Sequence, residues 1–226
     1  MAQAKALLID LDGTLVDSAP ELAIAVNEVR QAHGLPPASL QQVRDWVGEG
    51  VTVLLQKALR GAADDQPPSD LPTVARVRFD AAYERMLGRR SKPYPGVHRG
   101  LRRLGEAGFQ LACLTNKPEG FARDLLAALD LLEPFGVVVG GDSTGARKPD
   151  PEPARCAAER LGVRPAECLL IGDSAIDVAT ARNFGCPVWC LRSGYSRGQA
   201  PDELGADRVF DRFDEVVDVL VGGGPA

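Results

Sequence analysis

The fold is indicated by a short apolar run that ends in two acids, and the sequence there reads Ala4-Lys5-Ala6-Leu7-Leu8-Ile9-Asp10-Leu11-Asp12-Gly13-Thr14. The apolar run over residues 4–9 predicts a buried β-strand that ends at Asp10. Ligands of open parallel sheets bind at the carboxyl ends of the strands. Burying two like charges together is costly unless a cation or hydrogen bonds compensate, and a hard divalent ion would do so. The alternative interpretation is a plain strand-ending turn, in which Asp and Gly are common.

Further strands are predicted downstream, and helical patterns separate them. The predicted strands cover residues 109–114, 137–139, 169–171 and 188–191. The predicted helices cover residues 96–106, 119–129, 152–161 and 176–183. This alternation is typical of right-handed βαβ units, so we expect an α/β fold with a Rossmann-like parallel sheet and helices on both of its faces.

One region breaks the alternation, because residues 18–87 carry helical patterns and no convincing strand. The segment Ser18-Ala19-Pro20-Glu21 matches a capping box with proline in the first helical turn. Amphipathic helices are predicted to follow over residues 40–47, 51–59 and 71–87. We therefore expect an all-α helical insert after the first strand. Residues 1–16 and 92–226 would form the α/β body, and residues 17–91 the insert, which the family resemblance given below identifies as a cap on a catalytic core.

Three further polar motifs follow predicted strands. Thr115 and Asn116 could donate hydrogen bonds to phosphate oxygens, or could simply cap a helix. Lys148 precedes a helix start, where it could neutralise a phosphoryl group or be solvated. Asp173 ends a buried strand and Asp177 lies one helical turn on, so both could face a magnesium ion, while Asp177 could also complement the helix dipole. Their common place at strand ends favours one phosphate and metal site.

The composition sets broad limits on partners and compartment. The chain has 226 residues, 45% of them apolar, and a formal net charge of −5, which disfavours a nucleic-acid partner. No segment approaches the roughly 20 apolar residues of a membrane span, and the apolar run before Asp10 is shorter than a signal peptide needs. We expect a cytoplasmic protein with no nucleic-acid or membrane partner, present as a monomer or weak homodimer.

The complete motif set resembles the haloacid dehalogenase superfamily of phosphatases, and more narrowly the bacterial phosphoglycolate phosphatases. The resemblance extends over nearly the whole chain. The similar segments are Asp10-Leu11-Asp12-Gly13-Thr14-Leu15-Val16-Asp17-Ser18-Ala19-Pro20, Trp46-Val47-Gly48-Glu49-Gly50, Thr115-Asn116-Lys117-Pro118, Gly140-Gly141-Asp142, Lys148-Pro149-Asp150-Pro151 and Gly172-Asp173-Ser174.

The resemblance implies a role for each of these acids and bases. Asp10 would be the nucleophile that becomes an aspartyl-phosphate. Asp12 would protonate the leaving alcohol and then deprotonate the attacking water. Thr115 and Lys148 would hold the phosphoryl group, with Asn116 beside them. Such a division of roles suits phosphoryl transfer, which depends on positioning and on neutralising charge.

The resemblance also implies Mg²⁺ as cofactor. The ion would be bound by Asp10, by the main-chain carbonyl of Asp12 and by Asp173, with Asp177 orienting the water shell. The substrate would be a small-molecule phosphomonoester, and the helical cap would close over it to exclude water.

The cap loop departs from the family pattern at one residue. Gly48 and Gly50 would let the loop approach the substrate closely. Glu49 stands where the family usually has asparagine, and its charge would disfavour a substrate carboxylate unless it turns away or pairs with a base such as Arg44. Candidate partners for a substrate carboxylate are Lys57 and Arg60.

The function that we expect is hydrolysis of 2-phosphoglycolate. The alternatives are a phosphatase for another small phosphate ester, such as a sugar phosphate or N-acetylmuramate 6-phosphate, and a sugar-phosphate mutase. A phosphoacceptor signalling domain also pairs acids at a strand end, but it would place the acceptor on a middle strand of a chain about half as long.

Overall fold

A computed structural model describes residues 4–60, 73–195 and 199–222 of the chain. The first elements, in chain order, are β1 (Ala6–Ile9), β2 (Val16–Asp17), α1 (Ala19–Ala32), α2 (Leu40–Trp46), α3 (Val51–Ala58) and α4 (Thr73–Met86). They are followed by β3 (Lys92–Pro93), α5 (Val97–Glu106), β4 (Gln110–Leu114), α6 (Glu119–Ala128), β5 (Val137–Val139) and α7 (Glu152–Leu161). The last elements are β6 (Cys168–Gly172), α8 (Ala175–Phe184), β7 (Val188–Leu191), β8 (Arg208–Phe210) and α9 (Phe213–Gly222).

The larger sheet has six parallel strands in the order β5-β4-β1-β6-β7-β8. β1 therefore lies inside the sheet, with β4 on one side and β6 on the other. The strand order runs outward from β1 in both directions, which makes the carboxyl end of β1 the switch point where ligands of such sheets bind. The predicted fold class is confirmed.

The side chains of β1 alternate between two apolar cores, one on each face of the sheet. Leu7 and Ile9 pack with residues of α5, α6 and α9. Ala6 and Leu8 pack with residues of α7 and α8. Because all four side chains are fully buried, the strand is apolar at every position rather than at every second one. This two-sided burial fixes the strand and the acids that follow it.

Helices α1 to α4 pack around a third apolar core, which includes Val26, Leu55 and Phe79. Next to it, β2 and β3 form a short antiparallel ladder in which Val16 pairs with Pro93. This ladder joins the two connections between the helical region and the sheet, and it lies at the predicted boundaries of the cap. The division into core and cap remains a prediction.

Some elements were not predicted from the sequence. β2, β3, β8 and α9 are absent from the sequence-based assignment, and the helix predicted over residues 71–87 corresponds to α4, with residues 71 and 72 outside the described ranges. Among the described residues, no helix is both long and apolar enough to cross a bilayer.

The predicted capping box at α1 is wrong. The hydroxyl of Ser18 donates a hydrogen bond to Asp12, and its side chain does not cap α1. The carboxylate of Glu21 is fully buried and accepts hydrogen bonds from the main-chain N–H groups of Arg90, at 2.5 Å, and Ser91, at 2.8 Å. Glu21 thus satisfies main-chain donors of the segment that re-enters the sheet, where those donors lie away from water.

Candidate active site

Three neighbouring strands of the sheet bring the predicted residues together. Asp10 follows β1, Thr115 follows β4 and Asp173 follows β6, and their side chains line one cavity of about 50 Å³. Further predicted residues that line the cavity are Asp12, Gly48, Gly50, Asn116 and Lys148. Asp177 adjoins the cavity through Lys148, whereas Glu49 does not line it.

Lys148 connects two of the acids. Its Nζ donates hydrogen bonds of 2.7 Å to Asp10 Oδ1 and of 2.7 Å to Asp177 Oδ1, and its side chain is only 3% exposed. Burial would lower the pKa of Lys148, but the two carboxylates outweigh it and raise the pKa above its ordinary value. The solvated-lysine interpretation is excluded, because this ammonium is buried and hydrogen-bonded to Asp10 and Asp177.

A buried acidic cluster lies beside Lys148. Carboxylate oxygens of Asp10, Asp173 and Asp177 lie within 4.8 Å of one another. Burial raises the pKa of Asp10 to about 7, against the lowering effect of Lys148, and the charge of Asp177 raises it further. Burial also raises the pKa of Asp173 well above its ordinary value, and Asp177 and Asp10 add to that effect. The cluster is therefore short of positive charge.

The donor set fits a hard divalent cation. Mg²⁺ and Ca²⁺ both prefer carboxylate oxygens, and here three carboxylates converge. Together with the carboxylate of Asp12, these three acids carry four negative charges when ionised. The ammonium groups of Lys117 and Lys148 supply two positive charges. A divalent cation would balance the remainder. The role expected for Asp12 at the metal is through its main-chain carbonyl, and this role remains a prediction.

Asp173 is tightly enclosed by main chain. Its Oδ1 accepts a hydrogen bond of 2.8 Å from the Thr14 hydroxyl, and its Oδ2 accepts one of 2.6 Å from the Tyr195 N–H. Gly13 has φ +96°, and a Cβ at that position would lie 2.4 Å from Asp173 Oδ2. The glycine that permits the turn after β1 therefore also makes room for an acid from β6.

Asp177 caps the start of α8, whereas its expected role at a magnesium ion remains a prediction. Its Oδ2 accepts hydrogen bonds from the N–H groups of Asp173 and Ser174 and from the Ser174 hydroxyl, at 3.2, 3.1 and 2.6 Å. Its Oδ1 accepts from Lys148. Burial would raise the pKa of Asp177, but Lys148 and these donors lower it. Oδ2 therefore accepts the main-chain N–H groups at the start of α8, and Oδ1 accepts the ammonium of Lys148.

Asp12 has a partner that the sequence analysis did not assign. Lys117 Nζ lies 3.0 Å from both carboxylate oxygens of Asp12, and the Ser18 hydroxyl donates to Oδ1. The ammonium of Lys117 lies 4.9 Å from the ring centroid of Tyr83, on α4. Its side chain is 4% exposed, and Asp12 and Tyr83 together raise its pKa despite burial. Lys117 directly follows Thr115 and Asn116 in the predicted site motif, so its position in the sequence could have indicated a role in the site.

The side chain of Asn116 is engaged by the protein itself. Its Oδ1 accepts a hydrogen bond of 2.9 Å from the Lys148 N–H, and its Nδ2 donates one of 3.0 Å to the Lys148 carbonyl. The same Nδ2 donates at 2.9 Å to the carbonyl of Gly48 in the cap loop. Asn116 thus fixes the main chain of Lys148 and joins it to the loop. The hydroxyl of Thr115 accepts from the Lys117 N–H at 3.2 Å and retains its own hydrogen as a donor.

The cap loop presents backbone rather than charge to the cavity. Gly48 and Gly50 both have positive φ, at 118° and 87°. Glu49 forms an ion pair of 2.8 Å with Lys57, and the predicted partner Arg44 instead pairs with Asp17 at 2.9 Å. Glu49 does not line the cavity, and the ammonium of Lys57 lies against its carboxylate. The expectation that Lys57 or Arg60 meets a substrate carboxylate finds no support, since neither lines the cavity.

Comparison with known proteins agrees with this geometry. Residues 4–185 match the family model of the haloacid dehalogenase-like hydrolases. The phosphoglycolate phosphatase of Nitrosospira multiformis is 40% identical over 216 residues, which cover 96% of this chain and 95% of that protein. The phosphoglycolate phosphatase of Thiobacillus denitrificans is 41% identical over 211 residues and 93% of each chain.

A solved structure gives the same result for the fold. The crystal structure of a predicted phosphoglycolate phosphatase from Haemophilus somnus 129PT superimposes with a TM-score of 0.88 at 32% identity, over 97% of this chain and 99% of that one. The similarity therefore includes the helical region as well as the sheet. The family expected from the motifs is confirmed, and the chain belongs to the haloacid dehalogenase-like hydrolases.

Proposed function

We propose that the protein is a Mg²⁺-dependent phosphatase that hydrolyses 2-phosphoglycolate through an aspartyl-phosphate on Asp10. The observation that carries the proposal is the contact of Lys148 Nζ with Asp10 Oδ1 at 2.7 Å, beside a second carboxylate on Asp12. A buried ammonium at a buried carboxylate provides a nucleophile together with a cation for the phosphoryl oxygens.

The residues divide the reaction into two displacements at phosphorus. A carboxylate oxygen of Asp10 bonds to phosphorus as the bond to the leaving oxygen breaks, and Asp12 gives that oxygen its proton. Asp12 then takes a proton from a water that attacks the phosphorus, which releases phosphate and restores Asp10. Lys148 and the Thr115 hydroxyl hold the phosphoryl oxygens. The divalent cation held by the acidic cluster would supply charge neutralisation for the dianionic phosphoryl group.

Two observations favour a small substrate such as 2-phosphoglycolate. The cavity of about 50 Å³ is far below the roughly 300–1,000 Å³ of pockets that enclose drug-sized ligands. The ion pair of Glu49 with Lys57 removes the charge conflict that the sequence predicts for a substrate carboxylate. The relatives at 40% and 41% identity are named phosphoglycolate phosphatases, which supports the same substrate.

A substrate panel with Mg²⁺ tests the proposal. It contains 2-phosphoglycolate, N-acetylmuramate 6-phosphate, hexose 1- and 6-phosphates and p-nitrophenyl phosphate. We expect the highest kcat/KM for 2-phosphoglycolate, and no turnover by Asp10→Asn at an unchanged circular dichroism spectrum. Asp124→Asn, at an exposed position of α6, is the matched control. A higher kcat/KM for a sugar phosphate would contradict the substrate, and interconversion of hexose phosphates would favour a mutase.

A further inference from the structure

The positive charge inside the cavity comes from two residues. Among the described residues that line it, Lys117 and Lys148 are the cationic ones. Lys148 is engaged by Asp10 and Asp177, in the place proposed for the phosphoryl group. Lys117, from the loop between β4 and α6, reaches the cavity at a different point, next to Asp12.

The cap side of the cavity is apolar. The side chains that the described part of the helical region contributes to the lining are Leu22, Val47, Val51 and Leu54. None of them can neutralise an anion. Of the groups that line the cavity, the ammonium of Lys117 is the cation that lies apart from the place proposed for the phosphoryl group, and a buried carboxylate without a partner is costly.

The position of Lys117 matches the chemistry of the substrate. In 2-phosphoglycolate, the carbon that bears the bridging oxygen also bears the carboxylate. In the proposed mechanism, Asp12 lies within hydrogen-bond distance of that bridging oxygen. Lys117 Nζ is 3.0 Å from both oxygens of Asp12, so it lies on the side of the cavity where the carboxylate would be. An ammonium has three N–H donors, and the Asp12 contacts engage two of them.

We propose that Lys117 binds the carboxylate of the substrate and thereby makes the site selective for phosphate esters of 2-hydroxy acids. This inference rests on the proposed function. The ring of Tyr83, 4.9 Å from Nζ, helps to hold the ammonium in place from the side of α4. Lys117 is thus a specificity-determining residue, in addition to being the partner of Asp12.

The test compares two substrates on three proteins. 2-Phosphoglycolate and 2-hydroxyethyl phosphate have the same chain length, but the second has a hydroxymethyl group in place of the carboxylate. The proteins are wild type, Lys117→Met, and the control Lys5→Met, whose lysine is exposed and pairs with Glu167 outside the cavity lining. The readout is the ratio of the two kcat/KM values, because a general loss of Asp12 positioning lowers both values equally.

We expect the wild type and Lys5→Met to favour 2-phosphoglycolate, and Lys117→Met to lose roughly tenfold to hundredfold of that preference, as for a hydrogen bond to a charged group. If Lys117→Met does not fold, Lys117→Gln provides the same comparison. An unchanged ratio in the variant, or equal loss on both substrates, would overturn the inference. So would a wild type that turns over both esters equally. A wild type that hydrolyses neither ester would instead contradict the proposed function.

Discussion

Replacing Lys148 with methionine removes a buried ammonium that lies 2.7 Å from Asp10 and 2.7 Å from Asp177. Its side chain is 3% exposed, so water screens these contacts little. Removing one partner of a buried ion pair costs about 3–5 kcal/mol, because the remaining charge stays buried. Two carboxylates lose their partner here, so we expect the free energy of unfolding to fall by about 5 kcal/mol near pH 8 without divalent metal.

The same substitution should cost less at lower pH. Burial raises the pKa of Asp10 to about 7 even with Lys148 present. An acid whose pKa is raised in the folded state destabilises the protein as pH rises above the unfolded value of about 4, and this destabilisation disappears below that value. Lys148→Met should therefore recover much of its stability as the pH falls from about 8 towards 5, since the bare carboxylates then take up protons.

Urea unfolding followed by circular dichroism measures these losses, with Lys57→Met as the matched control. Lys57 and Glu49 form a partly exposed pair, and pairs of this kind contribute about 0–1 kcal/mol. Adding Mg²⁺ should restore part of the stability of Lys148→Met, because the cation replaces the missing positive charge. If Lys148→Met lowers the free energy of unfolding no more than Lys57→Met does, at both pH values, then Lys148 does not neutralise buried carboxylates.

Three further predictions concern the same site. Asn116→Ala leaves main-chain groups of Lys148 without their partner, so unfolding in urea should show a loss of about 2 kcal/mol, and kcat should fall more than KM rises. Protons and Mg²⁺ compete for Asp10, so calorimetry should show Mg²⁺ affinity weakening up to about tenfold per pH unit below its pKa of about 7. Gly13→Ala places a Cβ 2.4 Å from Asp173 Oδ2 at φ +96°, so thermal unfolding should show a lower Tm, by an amount equivalent to at least about 1–2 kcal/mol, and Mg²⁺ binding should weaken.

The parallel sheet could be predicted because each of its inner strands is recognisable from a short stretch of sequence. Each inner strand is an apolar run followed by a polar turn, and the run over residues 6–9 is buried on both faces. β2 and β3 have two residues each, which is too short for any periodicity. β8 lies at the edge of the sheet and contains Arg208, whose guanidinium lies over the rings of Trp189 and Phe210 at 5.2 and 5.1 Å. A charged residue in a three-residue strand obscures the pattern.

The convergence of acids at the strand ends could be predicted from the same local patterns. The hydrogen-bond partners of Asn116 and Lys117 could not. Asn116 contacts Gly48 and Lys148, which are 68 and 32 positions away in the chain. Lys117 is buried because Asp12 and Tyr83, distant in sequence, enclose its ammonium. A lysine between an asparagine and a proline would ordinarily be solvated. Such burial depends on how the helical region packs on the sheet, and no short motif encodes that packing.

Asp10 should become covalently phosphorylated during turnover. Acid quenching during turnover of 2-phosphoglycolate with Mg²⁺, followed by borohydride reduction and mass spectrometry of the peptides, converts an aspartyl-phosphate to homoserine. We expect homoserine at position 10 in the wild type and none in Asp10→Asn. Homoserine at another aspartate, or rapid turnover by Asp10→Asn, would show that Asp10 is not the nucleophile.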